Sequence, residues 1–479
     1  MSAQAWAELD VHLFEINDAG RKLAQTAHTY VSGSEATNNG RSDSFNGTDG
    51  DAVTPQPLVP ASAPQEVHSA RQSLLVHAAM VQNKLRDPSD FLRQLMIQSQ
   101  LLACLHWLAY NQILACIPLN NNVLFIDVAA LAGVPVTELT RIIRMTATIG
   151  FLCEPEPGYA AHSPLSAEFV QKPSLVDVIM FTAEISAPSA LAMKSTTTTY
   201  NDSPLHNETA YNVAFETNES FASVLEKKGK VQRQYLALER HIALAGDEHI
   251  ASLLSTLSWV SLGDVTVVEV GAGSTTTATA LSKLAPNLSF IVQLRQDPQT
   301  QYTPAGSSNS SVSGSTTGSV SSSFLYALFG TEYRAPGTAQ THMRAAVYIF
   351  HLPPMSALSP GERPVSRIIT ELKAHFCMLR KNPTAMLIIV GRLLPEPGSV
   401  DPDIEAVARG RDLAMKQLSN LRELEVKEMA DLVAGIQDKF GRLLIVNKLV
   451  ERRNPVVALE IRYQTYPQHS INGAGQPFC

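Results

Sequence analysis

The chain has 479 residues, of which 45% are hydrophobic, and this suits a globular protein of about two or three domains. Its net charge of −7 gives no overall electrostatic footprint for nucleic acid, so direct DNA binding by the chain alone is not expected. Five cysteines without C-x-x-C spacing predict no metal site. The most apolar stretch, residues 101–119, contains His106, Asn111 and Gln112 and is predicted to be a buried helix rather than a membrane span.

The chain opens with an amphipathic helix followed by a low-complexity segment. Residues 1–31 show helical spacing of apolar side chains, and residues 32–65, rich in Ser, Gly, Asn, Thr and Pro, have the composition of a disordered linker. The helix is either a docking element or an appendage that packs back on the body of the protein. The sequence leaves both interpretations open.

Residues 66–175 are predicted to form a helical, winged-helix domain of the dimerising type. After core-forming helices, a short helix ends at Gly133, a second spans residues 137–148, and a β-wing follows. The second helix offers only Arg141 and Arg144 as basic residues, which is too little positive charge to carry DNA binding. A structural or dimerising role is therefore favoured, and a homodimer is one possible assembly.

Residues 176–262 are predicted to be a helical connector, and residues 263–479 alternate strands and helices as an α/β domain does. The alternation predicts a doubly wound sheet that ends in an antiparallel hairpin, with a flexible Ser-rich insertion over residues 304–323. The predicted strands are 265–270, 287–294, 345–350, 385–390, 443–450 and 456–463, and the predicted helices lie at about 274–284, 364–379 and 404–432.

A glycine turn after the first of these strands has the pattern of a cofactor-binding turn. Gly271 and Gly273 let the backbone pass close to a ligand at a helix N-terminus. A nucleoside site also needs a third glycine and, about 20 residues on, a carboxylate for the ribose. Here the third-glycine position is Thr276, or Thr275 in a tighter spacing, and Gln293 replaces the carboxylate. A weak nucleoside site and an ordinary strand-to-helix turn both remain open.

The order of parts resembles the S-adenosylmethionine (SAM)-dependent O-methyltransferases of the plant caffeate type and their fungal relatives. The resemblance covers about residues 87–463 and rests on the segments RIIRMTATIGFL, VVEVGAG, PNLSFIVQL, YIFHLPP, LLPEPGSVDP and DLAMKQLSNLRELE. It implies a Rossmann-like methyltransferase fold behind the winged-helix domain. It also implies cofactor contacts at Glu269, Gly271, Gly273 and Gln293, of which Gln293 departs from the acid that the family uses.

The resemblance implies catalytic residues as well. The family's general base, a histidine followed by Asp and Trp, corresponds to His351, but Leu352 and Pro353 stand where Asp and Trp are usual. The family's acid after the long helix corresponds to Glu423. An imidazole beside a carboxylate can act as a general base at neutral pH. The combined departures at the base and in the cofactor turn favour a protein without catalysis.

Residues 334–354, RAPGTAQTHMRAAVYIFHLPP, resemble one fungal group in particular, the methyltransferase-like transcriptional coactivators of aromatic polyketide gene clusters, typified by the aflatoxin-cluster coactivator. That resemblance implies a protein of the nucleus, and it leaves an additional cytoplasmic location open. It also implies that the protein binds a binuclear zinc-cluster transcription factor encoded in the same gene cluster. The sequence thus predicts a transcriptional coactivator with no bound cofactor.

The alternative is an active O-methyltransferase that binds SAM and acts on a phenolic polyketide. His351 would then be the base and Glu423 would orient it. Direct DNA binding by residues 137–148 is the least favoured interpretation.

Overall fold

The computed structural model describes residues 3–38, 55, 57–60, 62–242, 246–295, 330–354 and 362–466. The chain divides into two compact units: Met1–Pro188 with Arg233–Leu238, and Ser189–Gln232 with Glu239–Cys479. The Ser-rich insertion predicted at 304–323 lies outside the described residues, as does much of the linker predicted at 32–65.

The first unit opens with three helices, α1 (Ala3–Asn38), α2 (Gln65–Leu85) and α3 (Pro88–Tyr110). Helix α1 packs against α2, with Ala19 buried and Lys84 Nζ 2.6 Å from Glu8 Oε2. The sequence placed the end of α1 near residue 31, but the helix continues to Asn38 because no proline interrupts it. Part of the predicted linker is therefore helical.

Two short helices and a small antiparallel sheet complete the core of this unit. They are α4 (Phe125–Ala132), α5 (Val136–Ala147), β1 (Val123–Leu124), β2 (Leu152–Cys153) and β3 (Tyr159–His162), with strand order β1-β3-β2. Gly133 ends α4 in the left-handed conformation at φ 68°, where a residue without Cβ is favoured. The order helix, helix, strand, strand agrees with the sequence analysis, which did not predict β1.

Shorter helices follow in both units: α6 (Pro164–Gln171), α7 (Pro173–Phe181), α8 (Ala187–Leu191), α9 (Met193–Tyr200), α10 (Ala210–Ala214), α11 (Phe221–Lys227), α12 (Gly229–Ile242) and α13 (Asp247–Leu254). Within the described residues, one helical stretch, Pro173–Leu191, has the length and composition to cross a membrane. It carries Asp177, paired with Arg233, and Glu184, and core helices of soluble proteins pass the same test. Over the same residues, no group of three or more His, Cys, Asp or Glu side chains could hold a metal ion.

A seven-stranded sheet forms the centre of the second unit, in the order β6-β5-β4-β7-β8-β10-β9. Neighbouring strands from β6 to β8 are parallel, whereas β10 runs antiparallel to both β8 and β9. This confirms the predicted doubly wound sheet with a C-terminal antiparallel hairpin. The strands are β4 (Thr266–Ala272), β5 (Ser289–Leu294), β6 (Gly330–Tyr333), β7 (Val347–His351), β8 (Met386–Gly391), β9 (Gly441–Val450) and β10 (Val457–Thr465).

Apolar clusters cover both faces of this sheet. Strand β4 shows the alternation: Val268 and Val270 belong to one cluster, while Val267 and Ala272 belong to the other. All four are 2% exposed or less. Burial on both faces explains why the strand is mostly apolar rather than alternating, with Glu269 as its buried acidic residue.

The helices of the sheet domain are α14 (Thr276–Leu284), α15 (Pro364–Lys381), α16 (Pro402–Ser419) and α17 (Val426–Ala434). The single helix predicted over 404–432 was wrong, because the chain breaks at Asn420, whose φ is 52°. The Asn420 side chain donates to the carbonyl oxygens of Leu205 (2.7 Å) and Glu208 (3.0 Å). These long-range bonds stabilise the break, and the loop after it carries Glu423.

Candidate functional site

The glycine turn joins β4 to α14 at the carboxyl edge of the parallel strands. Gly271 has φ 69°, and a Cβ there would lie 3.6 Å from the His351 carbonyl oxygen, an ordinary contact. Ser274 Oγ accepts the Thr276 N–H at 3.2 Å, so a hydroxyl satisfies one free amide at the start of α14. The backbone of a cofactor turn is therefore present.

The space beside Gly273 is taken by side chains of the protein. A Cβ at Gly273 would lie 2.7 Å from Arg295 Nη2 and 3.2 Å from Asp247 Oδ2. Asp247 accepts a hydrogen bond from the Ser274 hydroxyl at 2.5 Å, which fixes the carboxylate against the turn. A glycine at this position lets a ligand come close to the backbone. In this structure the Arg295 guanidinium and the Asp247 carboxylate lie in that space.

Gln293, which corresponds to the ribose-binding acid of the methyltransferases, is buried, and its amide is hydrogen-bonded to other side chains. Its amide forms two hydrogen bonds with the Gln340 amide. Gln293 Nε2 donates to Gln340 Oε1 at 2.7 Å, and Gln340 Nε2 donates to Gln293 Oε1 at 2.8 Å. The same Nε2 donates to Glu332 Oε1 at 2.7 Å, and Glu332 also pairs with His342. Every polar atom of the Gln293 side chain thus has a protein partner.

The segment from Arg334 to His342, which contains Gln340, is bound to α15 by an ion pair and a hydrogen bond. Arg334 Nη1 lies 3.0 Å from Glu371 Oε2, and the two side chains are only 7% and 3% exposed. The Gly337 amide also donates to Glu371. RAPGTAQTH carries the family resemblance, but its packing over Gln293 was not predicted from the sequence. No local signal predicts a contact between residues 47 positions apart.

His351 is the last residue of β7, and its side chain is buried. Its Nε2 is 3.2 Å from Glu269 Oε1, with the side chains 4% and 0% exposed. Glu269 Oε2 is buried and has no hydrogen-bond partner among the described residues. The structure thus brings together the candidate base and a candidate cofactor residue, rather than His351 and Glu423.

Glu423 is bound by Arg411 instead. Arg411 Nη2 lies 2.6 Å from Glu423 Oε2, and Arg411 Nε donates to the other carboxylate oxygen. The Glu423 amide donates to Asp412 Oδ1 at 2.8 Å. A bidentate guanidinium orients the Glu423 carboxylate, and the described hydrogen bond of His351 goes to Glu269 instead.

His351 and Glu423 nevertheless line one cavity of about 130 Å³. Four further charged residues of this cavity were not predicted as site residues: Asp247, Arg295, Arg392 and Arg422. Arg295 lies only two positions after Gln293. The cavity is lined by Asp247, Ile250, Arg295, His351, Leu352, Pro353, Pro354, Pro364, Ile368, Gly391, Arg392, Leu393, Met415, Arg422, Glu423 and Leu424.

Solved structures with the same fold include one bound to S-adenosylhomocysteine and one O-methyltransferase. OxaC, solved with S-adenosylhomocysteine and oxaline, has a TM-score of 0.54 at 15% identity and covers 95% of this chain and 100% of its own. The mitomycin 7-O-methyltransferase MmcR has a TM-score of 0.52 at 15% identity, covering 78% of this chain and 98% of its own. These similarities confirm the predicted methyltransferase fold.

The chain is also similar over most of its length to fungal regulators. The monodictyphenone cluster transcriptional coactivator of Emericella nidulans is 43% identical over 440 residues, 86% of this chain and 92% of that protein. The dothistromin biosynthesis regulatory protein of Dothistroma septosporum is 40% identical, covering 86% and 92%. The trypacidin cluster transcriptional coactivator of Aspergillus fumigatus is 39% identical, covering 85% and 89%.

No protein-family model matches the chain. The fold is that of the methyltransferases, while the proteins that match most of the sequence at about two-fifths identity are regulators of gene clusters. The chain belongs to the methyltransferase-like transcriptional coactivators of fungal secondary-metabolite gene clusters.

Proposed function

We propose that this coactivator works without catalysis, by binding a cluster-specific binuclear zinc-cluster transcription factor in the nucleus. The observation that carries the proposal is the closed cofactor site. The Arg295 guanidinium lies beside Gly273, and every polar atom of the Gln293 amide is hydrogen-bonded to Gln340 or Glu332. The neutral, fully bonded Gln293 therefore argues against SAM at the ribose position.

Electrostatics supports the same conclusion. SAM carries a positively charged sulfonium and a net positive charge, so a pocket that binds it benefits from nearby carboxylates. Gln293 is neutral where the family has an acid, and Arg295 adds a cation beside the turn. Each change makes the surroundings of the turn less negative, and the Arg295 charge offsets that of the neighbouring Asp247 carboxylate.

Calorimetry tests the closed site directly. We expect titration of the purified protein with SAM to give no binding, or a Kd weaker than about 1 mM. Gly271→Arg, which places a bulky cation in the turn, is the matched control and should behave like the unmodified protein. Micromolar binding of SAM that Gly271→Arg abolishes would contradict the proposal.

Transcript levels test the coactivator role against the methyltransferase alternative. Deleting the gene should lower transcripts of its cluster, and reintroducing the His351→Gln variant should restore them. Glutamine can still donate to Glu269 but cannot act as a general base. If deletion leaves the transcripts unchanged and an unmethylated metabolite accumulates, the coactivator role is wrong and the protein acts as an O-methyltransferase. Failure of His351→Gln to restore methylation would then assign His351 as the base.

The partner part of the proposal rests on charge. A chain with net charge −7 has little affinity for DNA phosphates, so specificity for promoters must come from a DNA-binding protein. Co-purification of the tagged coactivator with the zinc-cluster factor of its cluster, from nuclear extract, is the expected result. Co-purification from the cytoplasm alone would refute the nuclear location.

A homodimer through α3 completes the proposal. The N-terminal half of this helix exposes Phe91 (53%), Leu92 (62%), Leu95 (55%) and Met96 (60%), four large apolar side chains in one stretch. Exposed apolar patches of this kind mark interaction surfaces. Sedimentation equilibrium should show a dimer that Leu95→Asp converts to a monomer. A monomeric unmodified protein would remove this part of the proposal.

A further inference from the structure

The cavity at the carboxyl ends of β5, β7 and β8 has the size and walls of a site for a small ring. Its volume of about 130 Å³ compares with the roughly 150 Å³ of an engineered apolar cavity that binds benzene. Most of its wall is apolar and includes Ile250, Leu352, Ile368, Leu393, Met415 and Leu424. An aromatic ring would bury its faces against these side chains.

Most charged groups that face this cavity already have partners. Arg422 binds Glu428, Glu423 binds Arg411, Asp247 accepts from Ser274, His351 pairs with Glu269, and Arg392 also has a partner. In the described part of the chain, Arg295 is the one charged side chain of the wall with no hydrogen bond or ion pair to another described residue. It is half-buried, with Nη2 directed at the open side of Gly273.

A half-buried guanidinium with free donors favours an anion. Arginine presents a planar fork of N–H groups that matches a carboxylate, and the pair gains strength where water is excluded. Removing a guanidinium from water without such a partner costs free energy. Asp247 Oδ2 also lies beside Gly273, where it accepts a hydrogen bond from the Ser274 hydroxyl.

We propose that this cavity binds a small aromatic carboxylate, with the ring among the apolar side chains and the carboxylate on Arg295. The site is distinct from the nucleoside position, which Gln293 and Gln340 close. The ligand preference is thus opposite in charge to SAM. This inference does not depend on which transcription factor the coactivator binds, and it stands or falls on ligand binding alone.

Salicylate is the probe, and salicylamide, which keeps the ring and the hydroxyl but has no charge, is its control. Calorimetry on the full chain should show salicylate binding, with salicylamide at least about tenfold weaker because it lacks the ion pair with Arg295. Arg295→Gln should weaken salicylate about tenfold and leave salicylamide unchanged. Arg141→Gln, an arginine change outside the cavity, should alter neither.

A second variant tests the position of the ring. Met415→Trp fills the cavity and should abolish binding of both probes, while circular dichroism and the thermal unfolding midpoint without probe report whether the fold is intact. Absence of salicylate binding at millimolar concentration, equal binding of the two probes, or undiminished binding to Arg295→Gln would each overturn the proposal.

Discussion

The ring of His162 shows how burial fixes the chemistry of a single residue. Its Nε2 lies 3.1 Å from the Leu114 carbonyl oxygen and 3.2 Å from that of Ile117, and its Nδ1 lies 2.8 Å from Ser166 Oγ. Carbonyl oxygens only accept, so Nε2 carries the proton and Nδ1 accepts from the serine hydroxyl. Burial lowers the pKa of His162 below its ordinary value of 6.5, so the native ring is neutral.

His162 makes stability depend on pH in a defined direction. Above the unfolded pKa of about 6.5 both states are neutral and its contribution is complete; below it the unfolded chain takes up a proton that the native ring does not. The free energy of unfolding should therefore fall between about pH 7.5 and pH 5.5. His162→Gln, which keeps a donor, should show a smaller fall in urea titrations.

The matched control is His68→Gln, at a half-buried position on α2. It should keep the pH dependence of the unmodified protein. Burial also lowers the pKa of His249 and His375, so part of the fall remains in His162→Gln. The same pH dependence in His162→Gln and in the unmodified protein would show that His162 is not responsible.

Among the elements, the segment from Arg334 to His342 matters most, because it places Gln340 over Gln293. Its attachment to α15 depends on the buried pair of Arg334 and Glu371. Breaking a buried pair leaves an uncompensated charge, which costs more than the pair itself contributes. The segment should therefore be sensitive to substitution at either end of this pair.

Replacing Arg334 by methionine should lower the free energy of unfolding by about 3–5 kcal/mol, because Glu371 stays buried without its guanidinium. Urea denaturation measures this change. The control is Arg422→Met, whose pair with Glu428 is 63% and 30% exposed and should cost at most about 1 kcal/mol. Equal losses in the two variants would show that the Arg334 pair does not fasten the segment.

At the scale of the whole molecule, charge limits what the protein can bind. Helix α5 carries two arginines, and one of them, Arg144, is paired with Glu154. The Arg144 guanidinium, with help from the Gly158 amide, lowers the pKa of Glu154 to about 2, so the pair persists at all physiological pH values. Arg141 is then the remaining basic residue of α5.

We expect the purified protein to give no shift of cluster promoter DNA in electrophoretic mobility assays. The zinc-cluster factor should shift the promoter DNA, and adding the coactivator to that protein–DNA complex should lower its mobility further. Binding by the coactivator alone, falling steeply with salt concentration, would instead indicate direct phosphate contacts.

The sequence by itself determined the architecture of the sheet. The apolar run Val265–Val270, the glycines after it and the final hairpin are local patterns, and each appears in the structure at nearly the predicted residues. Strand β6 was missed because it has four residues and follows a Ser-rich segment. The break at Asn420 was missed because it depends on carbonyl oxygens about 210 residues earlier in the chain.

Only the tertiary structure decided the state of the candidate site. The sequence showed that Gln293 replaces an acid, but not that Gln340 closes its amide, since these residues are 47 positions apart. It identified His351 and Glu423 but not their separate partners, Glu269 and Arg411. Periodicity reports which face of an element is apolar, whereas a hydrogen bond between distant side chains depends on how the elements pack.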